Sequence, residues 1–312
     1  MTATVSATRS SLIVALLALV TVSFAFAQNR QGSLRERLAQ RRAQKQQDDA
    51  ETQPNKVTLP AGVKLIKDVP YGDDKLQTFD VYIPANAKNA PVIFMVHGGG
   101  WRDGDKTNSR VVQNKLNHFA ALGYIFISVN NRLLPTTPTD QAVDVAHALA
   151  AAQKQAAQWN GDSNKFLLMG HSAGAHLVDL VSVAPQYAKA AGAKPWLATI
   201  SLDAGAIDVE QIMTHPHMPL YDDAFGKNKA YWQTASPLVQ LNATVKPMLL
   251  VCSSQRRESC PANHEFAAKA KKFGSNVSVL EEPLSHGEIN MNLGTPGAYT
   301  DAVDKFIAQV LR

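Results

Sequence analysis

The chain has 312 residues, 45% of them hydrophobic and 18% charged, an ordinary globular composition that suffices for one large core. The formal net charge of +5 includes a basic N-terminal stretch, so it is weak information about the remainder, and no nucleic-acid motif is present. Two cysteines without matching histidine spacing exclude a zinc site, and nothing points to a metal or cofactor.

The first 27 residues stand apart. Arg9 precedes an apolar run from Leu12 to Val22, which leads to Ala25-Phe26-Ala27. A short positive region, a short apolar core and an A-x-A site describe a secretory signal peptide cut after Ala27. A retained membrane anchor is the alternative, and the run is short for a spanning helix. No cysteine follows the cut, which argues against a bacterial-type lipoprotein. The mature protein is therefore expected in the periplasm or secreted. Residues 28–56 are rich in Gln, Arg, Lys and Asp and cannot bury enough surface to offset their ordering entropy, so they read as a disordered or weakly helical linker. The basic run from Arg35 to Lys45 reads as a solvated tail. Weak attraction to anionic envelope polymers or lipid headgroups is its functional alternative.

Residues 57–312 carry the folded domain. Extended segments are expected over 64–68, 77–83, 92–97, 124–130, 165–169, 198–203, 248–252 and 277–281. Helical patterns fall over 111–122, 138–158 and 262–273. A last helix places Tyr299, Val303, Phe306 and Val310 on one face. The first two strands read as an antiparallel hairpin. Thereafter strand and helix alternate, which predicts an α/β fold, a mostly parallel sheet with helices on both faces. The stretch 206–244 breaks the alternation and reads as a short lid insert over part of a pocket. Its His215 and His217 lack further partners and read as surface histidines.

Three motifs carry chemistry. Gly170-His171-Ser172-Ala173-Gly174 follows the apolar run Phe166-Leu167-Leu168-Met169. A serine between glycines at a strand-to-helix turn reads as a nucleophile elbow, which lifts the hydroxyl to a helix N-terminus. Upstream, the buried strand ending at Val96 runs into His97-Gly98-Gly99-Gly100-Trp101. Three glycines there let backbone N–H groups turn toward a developing negative charge. Downstream, Ser285-His286-Gly287 places a histidine in a loop after a late strand, where a general base would sit. The order oxyanion loop, Ser, acid, His belongs to one of several convergent serine hydrolase designs.

With these motifs the chain resembles the α/β-hydrolase superfamily, in its carboxylesterase branch with an HGGGW oxyanion loop and a GxSAG elbow. That branch is similar to hormone-sensitive-lipase-like, feruloyl-esterase-like and kynurenine-formamidase-like enzymes. Tyr71-Gly72 with Phe79-Asp80-Val81-Tyr82-Ile83-Pro84 resembles the family's first hairpin, and Asn130-Asn131-Arg132-Leu133 its segment after the next core strand. The resemblance runs from about Val63 to the C-terminus. It implies an oxyanion hole formed by the backbone N–H groups of Gly99, Gly100 and Ala173.

Ser172 is the expected nucleophile and His286 the base. His97 is expected to hold the glycine loop in shape, His171 to pack beside the elbow, and Trp101 to pack beside the pocket. His176 stands too close to Ser172 in sequence to be its base. In the family the acid, usually Asp, follows the seventh core strand. The loop after Cys252 here reads Ser253-Ser254-Gln255-Arg256-Arg257-Glu258-Ser259-Cys260, so Glu258 is the expected acid, with Asp203 and Asp208 as alternatives. In an exported protein Cys252 and Cys260 are expected to join, with two free thiols as the alternative. The expected activity is hydrolysis of carboxylic esters of small alcohols, phenols or acylated saccharides through an acyl-enzyme. A formamide or amide hydrolase, a peptidase of the same fold and a non-catalytic binding protein are the alternatives.

Overall fold

The structure is a computed structural model that describes residues 56–312. The expected signal peptide and most of the linker lie outside the described residues. Among the described residues there are eight strands: β1 (Val63–Pro70), β2 (Thr78–Pro84), β3 (Ala90–Val96), β4 (Ile125–Val129), β5 (Gly161–His171), β6 (Ala198–Leu202), β7 (Met248–Ser253) and β8 (Val277–Glu282). They form one sheet in the order β1-β2-β4-β3-β5-β6-β7-β8. β1 pairs antiparallel with β2 and β2 with β4, and every later pairing is parallel. The predicted hairpin and mostly parallel sheet are both present.

The central strands are apolar throughout because both faces of the sheet are covered. Phe79, Val92, Phe94, Ile127 and Leu168 join one core. It is completed by α2 (Pro138–Gln155) and α3 (Ala173–Val183) through Val145, Leu149, Leu177 and Val181. Tyr82, Ile93, Met95, Phe126 and Met169 point the other way. They meet α1 (Ser109–Ala121) and α11 (Ala298–Val310) at Leu116, Phe119, Val303 and Phe306. The period of two along each strand divides the molecule into three layers.

Helix starts follow their caps. Asn108 accepts from the Arg110 N–H at α1, and Thr137 caps α2 ahead of Pro138. α2 ends at Gln155 and tightens into a 3₁₀ turn, Ala156–Trp159, closed by Asn160 in the left-handed region. The shorter helices are α4 (Gln186–Ala191), α5 (Val209–Met213), α6 (Pro219–Phe225), α7 (Lys229–Ala235), α8 (Pro237–Gln240) and α10 (His286–Asn292), and a longer one, α9 (Ser259–Lys272), lies between the last two. The expected insert over 206–244 is thus a run of four short helices. Two turns or fewer give periodicity nothing to register. Among the described residues no helix is long and apolar enough to cross a membrane.

Asp179 on α3 is fully buried and accepts from Ser201 Oγ of β6 at 2.8 Å, while its Oδ1 has no partner among the described residues. Burial pushes its carboxyl up to about 8, with the Ser201 bond opposing. A folded-state value above the unfolded one means that the native state holds an extra proton between about pH 4 and 8. Stability therefore falls as pH rises through that window. Asp179→Asn removes the titrating group. Its melting temperature, measured against wild type from pH 5 to 9, is expected to gain steadily up to about pH 8 and level off above it.

Candidate active site

Ser172 sits between β5 and α3 with φ 54° and ψ −119°, outside the ordinary regions. The surrounding glycines explain how the turn is tolerated. A Cβ on Gly170 would stand 2.3 Å from the Gly174 carbonyl oxygen, and one on Gly174 would stand 2.3 Å from that of His97. The elbow is also tied to the next strand. The Ser172 N–H donates to the Leu202 carbonyl at 3.1 Å, and the Gly205 N–H donates to the Ser172 carbonyl at 2.8 Å. Ser172 is the residue before a helix, where the first-turn N–H groups, that of Ala173 first, have no partner within the helix.

His286 is not in a loop, as expected, but is the first residue of α10. Ser285 caps that helix and Glu288 closes a capping box with it. Sequence reading missed this helix because it has seven residues, although the Ser-x-x-Glu signature was legible. His286 is buried, and its position is fixed from two sides. His171 Nε2 donates to the His286 carbonyl at 3.0 Å, with the two rings 4.5 Å apart. Lys115 Nζ, on α1, donates to the Asn290 carbonyl and to its Oδ1 at 2.7 Å. Burial, reinforced by the neighbouring His286, pushes His171 well below the usual histidine range, so it acts as a neutral donor. The residue before Ser172 thus holds the backbone of the expected base.

The carboxylate that meets His286 is Asp203, one residue past β6. His286 Nδ1 donates to Asp203 Oδ2 at 2.5 Å. Each Asp203 oxygen accepts twice. Oδ1 takes the Ser253 N–H at 3.0 Å and the Ser259 hydroxyl, while Oδ2 takes His286 and Arg256 Nη1, the latter at 2.7 Å. Burial would raise this carboxyl. The Arg256 charge and the bonds from His286 and Ser259 outweigh it and hold Asp203 well below the ordinary range.

Glu258 does not take that place. Its side chain is 73% exposed and lies 3.5 Å from Arg256 Nη2. The loop after β7 turns inward through Arg256 and Ser259, which leaves Glu258 outside. Asp208 is a helix cap, accepting from the Gln211 N–H at the start of α5. Of the three carboxylates weighed from sequence, Asp203 alone contacts His286. Asp203 also adopts φ 49°, an uncommon conformation for a non-glycine residue, which aims its side chain back across the sheet edge. The contact of Arg256 with Asp203 had no signal in the sequence.

Across the strand ends lies the glycine loop. A Cβ on Gly98 would stand 3.0 Å from both Ser172 Cβ and His171 Nδ1, so the loop backbone passes directly beside Ser172. Gly99 and Gly100 have φ of 117° and 59°. Gly99 cannot carry a side chain, since its Cβ would stand 2.2 Å from the Asp103 carbonyl oxygen. His97 Nδ1 donates to the Gly98 carbonyl at 2.6 Å, the shape-holding role expected of it. The Trp101 carbonyl accepts from the Leu134 N–H and from Gln141 Nε2. Trp101 is buried, and its indole N–H donates to His176 Nδ1 at 3.1 Å, while His176 Nε2 donates to the Ala235 carbonyl. Burial lowers His176 to about 4, so it stays neutral and links the glycine loop to the insert. The insert packs on that loop. Phe225 meets Trp101 edge-on at 4.9 Å, Leu220 lies beside Gly100, and the Tyr221 hydroxyl donates to the Gly205 carbonyl at 2.8 Å. His215 and His217 bond locally, to the Gln211 carbonyl and to Asp222, and no metal-binding cluster occurs among the described residues.

The BD-FAE family matches residues 79–264, more than half of the chain. The chain belongs to the BD-FAE family. Esterase LipC of Mycobacterium tuberculosis is 27% identical over 266 residues, covering 78% of this chain and 64% of that protein. The kynurenine formamidase-like hydrolase fscH of Fusarium equiseti is 24% identical, covering 69% of this chain and 85% of its own length. The chain therefore spans less than two thirds of LipC. Among solved structures, a truncated carbohydrate esterase from gut microbiota superposes with a TM-score of 0.69 at 15% identity, over 83% of this chain and all of the other. This likeness is one of fold.

In this BD-FAE protein Cys252 and Cys260 are joined, with their Cα atoms 5.2 Å apart. The bridge closes the loop that supplies three of the four donors to Asp203. A loop of eight residues corresponds to about 2.5 kcal/mol of restricted unfolded-state entropy. The double variant Cys252→Ser/Cys260→Ser is expected to lose about that much in urea unfolding and to show faster hydrogen exchange at the Ser253 amide than at β3.

Proposed function

We propose that this protein is a serine carboxylesterase with Ser172 as nucleophile, His286 as general base and Asp203 as the acid. The reading rests on one observation. His286, gripped by a buried carboxylate at 2.5 Å, has its backbone held by the residue that precedes a strained serine. With Nδ1–H committed to Asp203, Nε2 is left as the basic nitrogen. It takes the Ser172 proton as Oγ attacks the ester carbonyl carbon. The carbonyl oxygen becomes an oxyanion, received by the N–H groups of Gly99, Gly100 and Ala173. When the intermediate collapses, the C–O bond to the alcohol breaks and the imidazolium gives its proton to that alcohol. Water, deprotonated by His286, then attacks the acyl-serine; the bond from the carbonyl carbon to Ser172 Oγ breaks, the imidazolium returns its proton to Oγ, and the acid leaves. Asp203 remains ionised throughout, which its low titration range supports.

The substrates proposed are carboxylic esters of small alcohols, phenols or acylated saccharides. The curated and structural relatives with ester-hydrolase names support the class of reaction. Amide or formamide hydrolysis is the second reading, favoured by the formamidase-like relative. Export is proposed as well, from the signal-like N-terminus and from a disulfide that suits an oxidising compartment.

Release of p-nitrophenol from the acetate and butyrate esters tests the proposal with the full chain. Turnover is expected from the wild type and none above buffer from Ser172→Ala. Asp203→Asn is expected to lower kcat by about 10³- to 10⁴-fold, because the amide favours the wrong imidazole tautomer. Glu258→Gln, an exposed change, is expected to leave kcat within about twofold. A folded wild type that cleaves an aryl formamide and no ester would decide for the second reading. Equal activity in Ser172→Ala and wild type would exclude both.

A further inference from the structure

Arg256 stands where a serine hydrolase has no need of a cation. Its side chain is 15% exposed, and Nη1 shares Asp203 Oδ2 with the His286 ring. Nη1 also lies 3.1 Å from His286 Nδ1. That nitrogen already donates to Asp203 and has no lone pair to offer a second donor. The contact is thus two donors converging on one acceptor. When the ring takes up a second proton, it becomes cation against cation. At this burial salt screens the pair little.

We infer that Arg256 is a positioning residue of the acid–base pair: it fixes the Asp203 carboxylate for His286 and, as a permanent cation against the ring, opposes its protonation, so that the base stays free toward lower pH. The inference rests on the triad proposed above. A plain structural ion pair would need only the carboxylate, whereas this guanidinium touches both members.

The charged and titratable groups around His286 set the sign. Asp203 contacts it from β6 and Arg256 from the loop after β7. His171 at the end of β5 is neutral, and Lys115 on α1 binds Asn290 of the same short helix. Glu288 on that helix is engaged by Ser285, and the Tyr299 hydroxyl on α11 donates to the Ile289 carbonyl. Tyr221 and Glu258 act on Arg256. Removing Arg256 deletes the cation in contact with the ring and leaves Asp203 uncompensated. Both changes favour imidazolium, so the acid limb of activity must move to higher pH.

The test compares the full-length wild type with Arg256→Gln and Arg256→Lys. One measurement is kcat/KM for p-nitrophenyl acetate against pH. The other is an NMR titration of ¹⁵N-histidine-labelled protein, in which the His286 signal is identified by its loss in His286→Asn. In Arg256→Gln both midpoints are expected to rise by about one to three pH units, the range for a charge in contact. Arg256→Lys, which keeps the charge on a more mobile stem without the planar fork, is expected to give midpoints between those of wild type and Arg256→Gln. A lower kcat at every pH with unmoved midpoints would make Arg256 a packing residue and overturn the inference. Should Arg256→Gln fail to fold, Arg256→Lys carries the test alone. Its weaker, more mobile charge is expected to raise both midpoints part of the way, and unmoved midpoints overturn the inference. Should the wild type cleave no ester, the ring titration still decides on Arg256, while the Ser172→Ala comparison decides on the esterase reading.

Discussion

A carboxylate buried at the end of β6 is the constraint around which the site is arranged. Ionised and shielded from water, Asp203 would be costly without donors on every side. It has four, two on each oxygen, three from the loop between Cys252 and Cys260 and one from His286. β7 must end where the Ser253 amide can reach it, α9 must start where the Ser259 hydroxyl can, and α10 must deliver the His286 ring from beyond β8. The parallel sheet makes this convergence cheap, because all of these strands finish along one edge.

A second linkage runs the other way across the sheet edge. His176 lies in the helix that starts after Ser172. It accepts from Trp101 of the glycine loop and donates to Ala235 of the insert. Kept neutral by burial, it fixes its own tautomer through these two partners. The backbone that would receive an oxyanion and the short helices packed on it therefore share one imidazole as a joint.

Much of this was legible in the sequence, for reasons that can be stated. Buried parallel strands are continuous apolar runs, and all eight extended segments were found. Glycines 98, 99, 170 and 174 announced close backbone approaches, each now matched by an atom that a Cβ would strike. The disulfide was legible from spacing and expected export. The acid was not. A position after β7 suits a carboxylate by family habit, but which residue of a loop turns inward depends on what awaits it there. Here a carboxylate already stands at Asp203, so an arginine and a serine turn inward and Glu258 remains in solvent. Asp203 was visible as an alternative but not distinguishable, because the φ of 49° that aims it leaves no trace in composition or period. The helix at His286 and those of the insert fell below the length that periodicity can register.

The closed loop between Cys252 and Cys260 has one more consequence. Surface loops ordinarily absorb insertions and deletions, since closure entropy grows slowly with length. This one cannot. Ser253 near one end and Ser259 near the other bind the same oxygen of a residue some fifty positions earlier, and the bridge fixes the span between them. Its length is set by a chemical group that is not part of it. A single added residue would have to be accommodated at Asp203, whereas the helical insert between β6 and β7 is free to lengthen away from the sheet.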